Sequence, residues 1–205
     1  MGICRTSLSR KWLEAPLEPK PSVQIGSVLE SYVVNKTIPS LFRLFGEPFS
    51  YSVVGKGKTR FSGFDPHIHD PDKMKIMSAS YVKCQGDVLF GVLWYVLEEE
   101  LRPLAKRMLG MPHVEETDKL AISSISEIGN ILTASISNAL SDDAGYRIWS
   151  SVPGFAVESL DAMLEGIIAD FGRGPEDVVV SSMEFQGSDS EIKLRMLLVQ
   201  NLGDF

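Results

Sequence analysis

The chain has few of the features that would set it apart from ordinary globular proteins. Its 205 residues include only two cysteines, Cys4 and Cys84, which excludes a disulfide-stapled fold and a cysteine-rich metal site. Lys and Arg number 20 against 27 Asp and Glu, giving a formal net charge of −7. This acidic balance argues against a general nucleic-acid-binding surface. The scarcity of cysteine also favours a reducing, cytoplasmic location.

Long apolar runs are also missing. The longest covers residues 88–97, whereas a membrane-spanning helix needs about 20 apolar residues. We therefore expect no membrane insertion. At 44% hydrophobic and 23% charged residues, the chain has the composition of a protein that folds around a core.

Proline divides the chain near its start. Pro16, Pro19 and Pro21 lie close together, so residues 1–22 are predicted to be a flexible N-terminal arm. The remainder, 23–205, is predicted to be a single domain.

The hydrophobic pattern of that domain alternates between helical and strand periods. Helices are predicted at 23–45 (with a break or kink at Pro39), 98–109 (or beginning only at Pro103), 115–140 and 156–171. Strands are predicted at 49–54, followed by a turn at 55–58, twice within 77–97, and at 146–151, 178–185 and 192–199. The helices and strands follow a similar order in residues 23–112 and 113–205. The fold class is therefore predicted to be α+β, with two pseudo-repeated halves sharing a mostly antiparallel sheet on which long helices pack.

The third predicted helix carries two stripes of opposite character. One side collects apolar residues at helical spacing: Ala121, Ile125, Ile128, Leu132 and Ala139. Ser123, Glu127 and Asn130 line up on the other side at i, i+4 and i+7. Taken alone, such a polar stripe is usually only a solvated face. Asn130 is a modest helix former, however, and Gly129 costs about 1 kcal/mol relative to alanine, which indicates that the backbone is closely approached there.

Ser123-x3-Glu127-x2-Asn130, followed later by Pro153, resembles the motif of the CheC/CheX/FliY family of bacterial chemotaxis proteins. The resemblance extends to Ile128-Gly129-Asn130-Ile131 and to the succession of helices and strands, over roughly residues 25–201. It implies a CheC-like fold and a phosphatase that hydrolyses the aspartyl-phosphate of a CheY-like response regulator. By resemblance to CheX, a homodimer is also possible.

The same resemblance implies a role for each motif residue. Asn130 would orient the attacking water, because a side-chain amide offers both a donor and an acceptor. Glu127 would pair with a lysine of the regulator. Ser123 would add a peripheral hydrogen bond and Pro153 would shape the adjoining loop. The protein would need no cofactor of its own, since the regulator would supply the Mg ion.

Some family members carry the motif once in each half, and the first half of this chain departs from it. Glu30 occupies the glutamate position, but Val33 stands where asparagine is required, and Gly26 where aspartate or serine would be. We therefore expect one working centre, in the C-terminal half, and a degenerate half at 23–112.

Two other interpretations remain open. The chain could be a non-catalytic adaptor of the same fold, like components of the flagellar switch. It could also be a sensor that binds a ligand through His67 and His69, which lie among acidic residues. That segment lacks a complete metallo-hydrolase pattern, because Pro71 stands where a ligand is needed, and a solvated turn is the favoured interpretation.

Overall fold

A computed structural model of the chain describes residues 25–60, 75–110, 117–171, 177–190 and 192–201. The predicted arm at 1–22 and the segment with His67 and His69 lie outside these residues. Within the described parts, the helices are α1 (Ile25–Tyr32), α2 (Ile38–Phe45), α3 (Glu98–Leu109), α4 (Thr117–Ala144) and α5 (Leu160–Phe171), and a π-helical turn (Val33–Thr37) joins α1 to α2. The strands are β1 (Phe49–Arg60), β2 (Ile76–Gly86), β3 (Phe90–Leu97), β4 (Ile148–Ser150), β5 (Gly154–Ser159), β6 (Asp177–Gly187) and β7 (Lys193–Asn201).

The described strands form one sheet in the order β1-β6-β7-β3-β2-β4, and β5 also pairs with β2. Every pairing is antiparallel. The order is nearly palindromic: the hairpins β2–β3 and β6–β7 meet at the centre, and β5 and β1 lie at the two edges. The predicted α+β fold with two similar halves and one shared antiparallel sheet is thereby confirmed.

The sheet separates two hydrophobic cores. The larger lies under α1, α2, α3 and α4 and includes Trp94, which packs with its ring centroid 5.6 Å from that of Phe185. The smaller lies between the other face of the sheet and α5. Since β3 is buried along its whole length, both cores are anchored on the middle of the sheet.

The first predicted helix is helical over its described residues, 25–45, but its α-helical hydrogen bonding is interrupted before Pro39. The Ile38 amide bonds to the Val33 carbonyl, a π-type i to i−5 bond. Pro39 occupies the start of α2, where its missing N–H is tolerated. Gly46 ends the helix in the left-handed conformation with φ 69°.

Two sequence predictions are wrong in detail, and the helix at 98–109 is confirmed. The turn predicted at 55–58 is part of β1, which continues through a bulge between Val53 and Gly55 to pair with β6. Residues 156–159, predicted as helix, form β5 against β2. Helix α3 begins at Glu98 and contains Pro103, so the alternative start at Pro103 does not apply.

Candidate functional site

The motif lies on α4, the longest described helix, which is held against β2 and β3. Its apolar stripe is buried as predicted, with Ile125, Ile128 and Leu132 fully inaccessible. The Trp94 indole N–H donates to Thr133 Oγ1 over 3.1 Å, which fixes the helix to β3. Between Lys119 and Ala144 the helix is long and apolar enough to cross a membrane, but half of it is buried inside the protein, as in a core helix.

Ser123, Glu127 and Asn130 are all exposed. None of them has a hydrogen-bond or ion-pair partner among the described residues. Their hydroxyl, carboxylate and amide groups therefore point to solvent along one side of the helix, available to a second molecule. Nothing within the described chain accounts for an asparagine at 130.

Gly129 is the point at which the helix backbone comes close to the sheet. A β-carbon added there would overlap the Cβ and Oγ atoms of Ser80 on β2. The close approach predicted from the sequence is therefore to the sheet beneath the helix. Because Asn130 follows directly, this contact sets how far Asn130 stands from the sheet.

The face of α4 that carries Asn130 is turned towards the sheet edge formed by β4 and β5. Ser137 lies seven residues, or two turns, further along the same face. Its Oγ is 3.5 Å from Cys84 Sγ, which is 3.4 Å from Ser150 Oγ on β4. Two turns back along α4, at the level of Ser80, the edge is β5, where Phe155 pairs with Ser80.

Pro153 lies in the short turn between β4 and β5, just before Gly154. This turn is fixed to β2, since the Ser151 amide donates to the Lys83 carbonyl over 2.8 Å and the Lys83 amide donates to Ser151 Oγ over 3.1 Å. Val152 is 87% exposed at its tip. Pro153 thus lies at the sheet edge formed by β4 and β5, on the side of α4 that carries Asn130.

Sequence reasoning missed the residues that support this arrangement. Ser80 lies against Gly129, and Ser137 and Ser150 contact Cys84, yet isolated serines in a strand or helix carry no sequence pattern. The signal that could have found Ser80 is Gly129 itself, because a glycine inside a helix costs stability and is a candidate for close approach by a neighbouring element.

Metal binding and thiol chemistry have little basis among the described residues. No group of three or more metal-ligating side chains comes together among them. Burial raises the pKa of the Cys84 thiol, and its hydrogen-bond contacts with the Ser137 and Ser150 hydroxyls only partly offset this, as in a buried structural cysteine.

The corresponding helix of the first half presents a different surface. Glu30 is exposed on α1, but Val33 is fully buried. The position that corresponds to Asn130 of α4 is thus part of the core in the first half.

The fold and this face define a class: a doubled α+β domain with an exposed serine–glutamate–asparagine motif on its central helix. No protein-family model matches the chain. The chain is similar to the CheY-P phosphatase CheC of Bacillus subtilis (strain 168), with 23% identity over 135 residues that cover 63% of this chain and 65% of that protein. The match thus spans slightly less than two thirds of that relative.

Solved structures share the fold. Thermotoga maritima FliY superposes with a TM-score of 0.63 at 15% identity, covering 89% of this chain and 92% of that one. The CheX of the CheX-CheY-BeF3-Mg complex from Borrelia burgdorferi gives a TM-score of 0.51 at 13% identity, covering 84% and 95%. The resemblance to the CheC/CheX/FliY family is confirmed, and the fold of this chain is the fold of those proteins.

Proposed function

We propose that this protein is a cytoplasmic phosphatase that hydrolyses the aspartyl-phosphate of a CheY-like response regulator. The observation that carries the proposal is the exposed Glu127–Asn130 pair on α4, which has no partner among the described residues. Its support is the similarity to a CheY-P phosphatase and to a CheX solved together with CheY.

Asn130 would orient the water for in-line attack through its amide, which needs no proton transfer of its own. Glu127, three residues earlier on the same side, would anchor a lysine of the regulator by a charge-assisted hydrogen bond. Ser123 would add a peripheral hydrogen bond, and Pro153 would keep the β4–β5 turn in shape beside them. The regulator would bring the Mg ion that neutralises the phosphoryl charge.

The test compares two asparagines of the same helix. Asn130→Ala should reduce the accelerated loss of phosphate from a phosphorylated CheY-like regulator by about a hundredfold or more, because the water is no longer positioned. Asn138→Ala, at another exposed position of α4, should keep the activity of the unchanged protein. The measurement is phosphate release with substoichiometric amounts of the protein, with circular dichroism to check folding.

The alternative is a non-catalytic adaptor of the same fold. It predicts stoichiometric binding of the regulator with an unchanged lifetime of its phosphate. Full activity in Asn130→Ala would contradict the proposed mechanism, and no acceleration by the unchanged protein against any regulator of its organism would favour the adaptor.

A further inference from the structure

A concave surface lies on the face of the sheet opposite α4. It is a groove of about 510 Å³ between α5 and the paired strands β2 and β5, a size typical of small-molecule sites, which span roughly 300–1,000 Å³. Its floor is apolar, formed by Ala79 and Leu93. Ala162 and Gly166 leave the helix wall open, and a β-carbon at Gly166 would meet no atom within 4 Å.

One end of the groove is closed by polar groups that satisfy one another. Tyr81 donates its hydroxyl to Asp170 Oδ2 over 3.2 Å. Lys83 Nζ lies 3.3 Å from the same oxygen and donates to the Asp170 carbonyl over 2.8 Å. Burial, followed by the nearby Asp170, raises the pKa of Tyr81 well above its ordinary value. The single lysine of the groove is therefore already neutralised and does not attract an anion.

The other end differs, because it carries an unbalanced charge. Glu158 on β5 is exposed and lines the groove. It has no cationic partner among the described residues. With Lys83 matched by Asp170, the groove as a whole is left with the negative charge of Glu158 beside an apolar floor.

We propose that this groove binds a small amphipathic amine. The ammonium group pairs with Glu158, and the apolar body lies along Leu93 and the small residues of α5. Ser151 and Val152 line the opposite, polar end of the groove, beside Lys83. The site is distinct from the motif face, and its existence does not depend on phosphatase activity.

Three ligands with one tail and different heads test the proposal by calorimetry or NMR titration at neutral pH: octylamine, octanol and octanoate. Octylamine should bind about threefold more tightly than octanol, a ratio typical of an exposed ion pair, and octanoate most weakly. Glu158→Gln should remove the preference for the amine over the alcohol. Equal binding of all three, or no binding of octylamine, would overturn the assignment.

A pair of leucine substitutions on α5 locates the binding. Gly166→Leu should weaken octylamine binding by about tenfold or more, because the new side chain fills the groove. Ala169→Leu places the same side chain on an exposed position of α5 outside the groove lining and should bind octylamine as the unchanged protein does. Unchanged binding in Gly166→Leu would show that the amine binds elsewhere.

Discussion

At the scale of single residues, a side chain at position 129 would collide with Ser80, whose strand lies directly under the motif helix. Glycine is otherwise a poor choice inside a helix, by about 1 kcal/mol relative to alanine. Glycine at position 129 therefore lowers helix propensity but lets the helix approach the sheet closely. Gly166 on α5 faces open space, so no close contact requires a glycine there.

This contrast gives a stability prediction. Gly129→Ala should lower the free energy of unfolding by about 1–2 kcal/mol, because the overlap with Ser80 outweighs the gain in helix propensity. Gly166→Ala should raise it by up to about 1 kcal/mol. Urea denaturation measures both.

A second substitution checks the cause. In the double variant Gly129→Ala with Ser80→Gly, the added methyl group no longer meets the serine side chain, so part of the lost stability should return. Gly129→Ala as stable as the unchanged protein would mean that the sheet yields to the extra carbon at little cost.

At the scale of secondary-structure elements, Glu47 connects three parts of the fold. It lies between α2 and β1 with no exposed surface, accepts the amide of Asp189 over 2.8 Å and the hydroxyl of Ser190, and has Arg107 Nε of α3 at 4.0 Å. Burial opposes its ionisation, but these hydrogen bonds and Arg107 together hold the pKa of Glu47 below its ordinary value.

A lowered pKa has a definite consequence for stability. The contribution of ionised Glu47 is fully present above the ordinary glutamate pKa of about 4.3 and is lost as the pH falls through the lowered value in the folded protein. Glu47→Gln should therefore destabilise the protein at pH 7, with the difference shrinking in acid. Denaturation of both proteins across pH 7 to 3 measures it, and Glu98→Gln, exposed on α3, should show little change at pH 7.

The elements also show how far local sequence determines structure. Helix α4 and the β2–β3 and β6–β7 hairpins were predictable, because their periodicity and turns are local. Strand β5 was not: residues 156–159 continue the apolar pattern of α5, and only their pairing with β2 makes them a strand. Likewise, pairing with β6 carries β1 through Gly55 and Gly57, where glycines and lysines alone indicate a turn.

The motif face of α4 and the groove beside α5 also differ in how far local sequence predicts them. Ser123, Glu127 and Asn130 could be placed on one exposed face from helical spacing alone, and their proposed roles rest on the family resemblance. The direction of that face depends on Ser137, Cys84 and Ser150, which come from different elements. The groove beside α5 had no sequence signal, because its floor and its charged end come from strands and a helix far apart in the chain.

At the scale of the whole molecule, the two halves exchange their edge strands. Strand β1 of the first half pairs with β6 of the second, and β5 of the second pairs with β2 of the first. Neither half therefore contains the partners of all its own strands.

This exchange predicts that the halves do not fold separately. A fragment of residues 113–205 should lack cooperative thermal unfolding and dispersed NMR signals, because β5 loses β2, β6 loses β1 and β7 loses β3, so that both cores are opened. Mixing it with a fragment of residues 23–112 should restore both properties. A separately folded 113–205 fragment would instead mean that the second half is a domain of its own.

The exchange of edge strands also bears on how such a chain can change over generations. Polar side chains on α1, such as Glu30, can change without altering the motif on α4, since Val33 is already part of the core. The strands of the first half complete the sheet under α4, because β2 and β3 pair with β5 and β7 and β1 pairs with β6. The first half can thus be retained for its strands alone, whatever side chains its first helix carries.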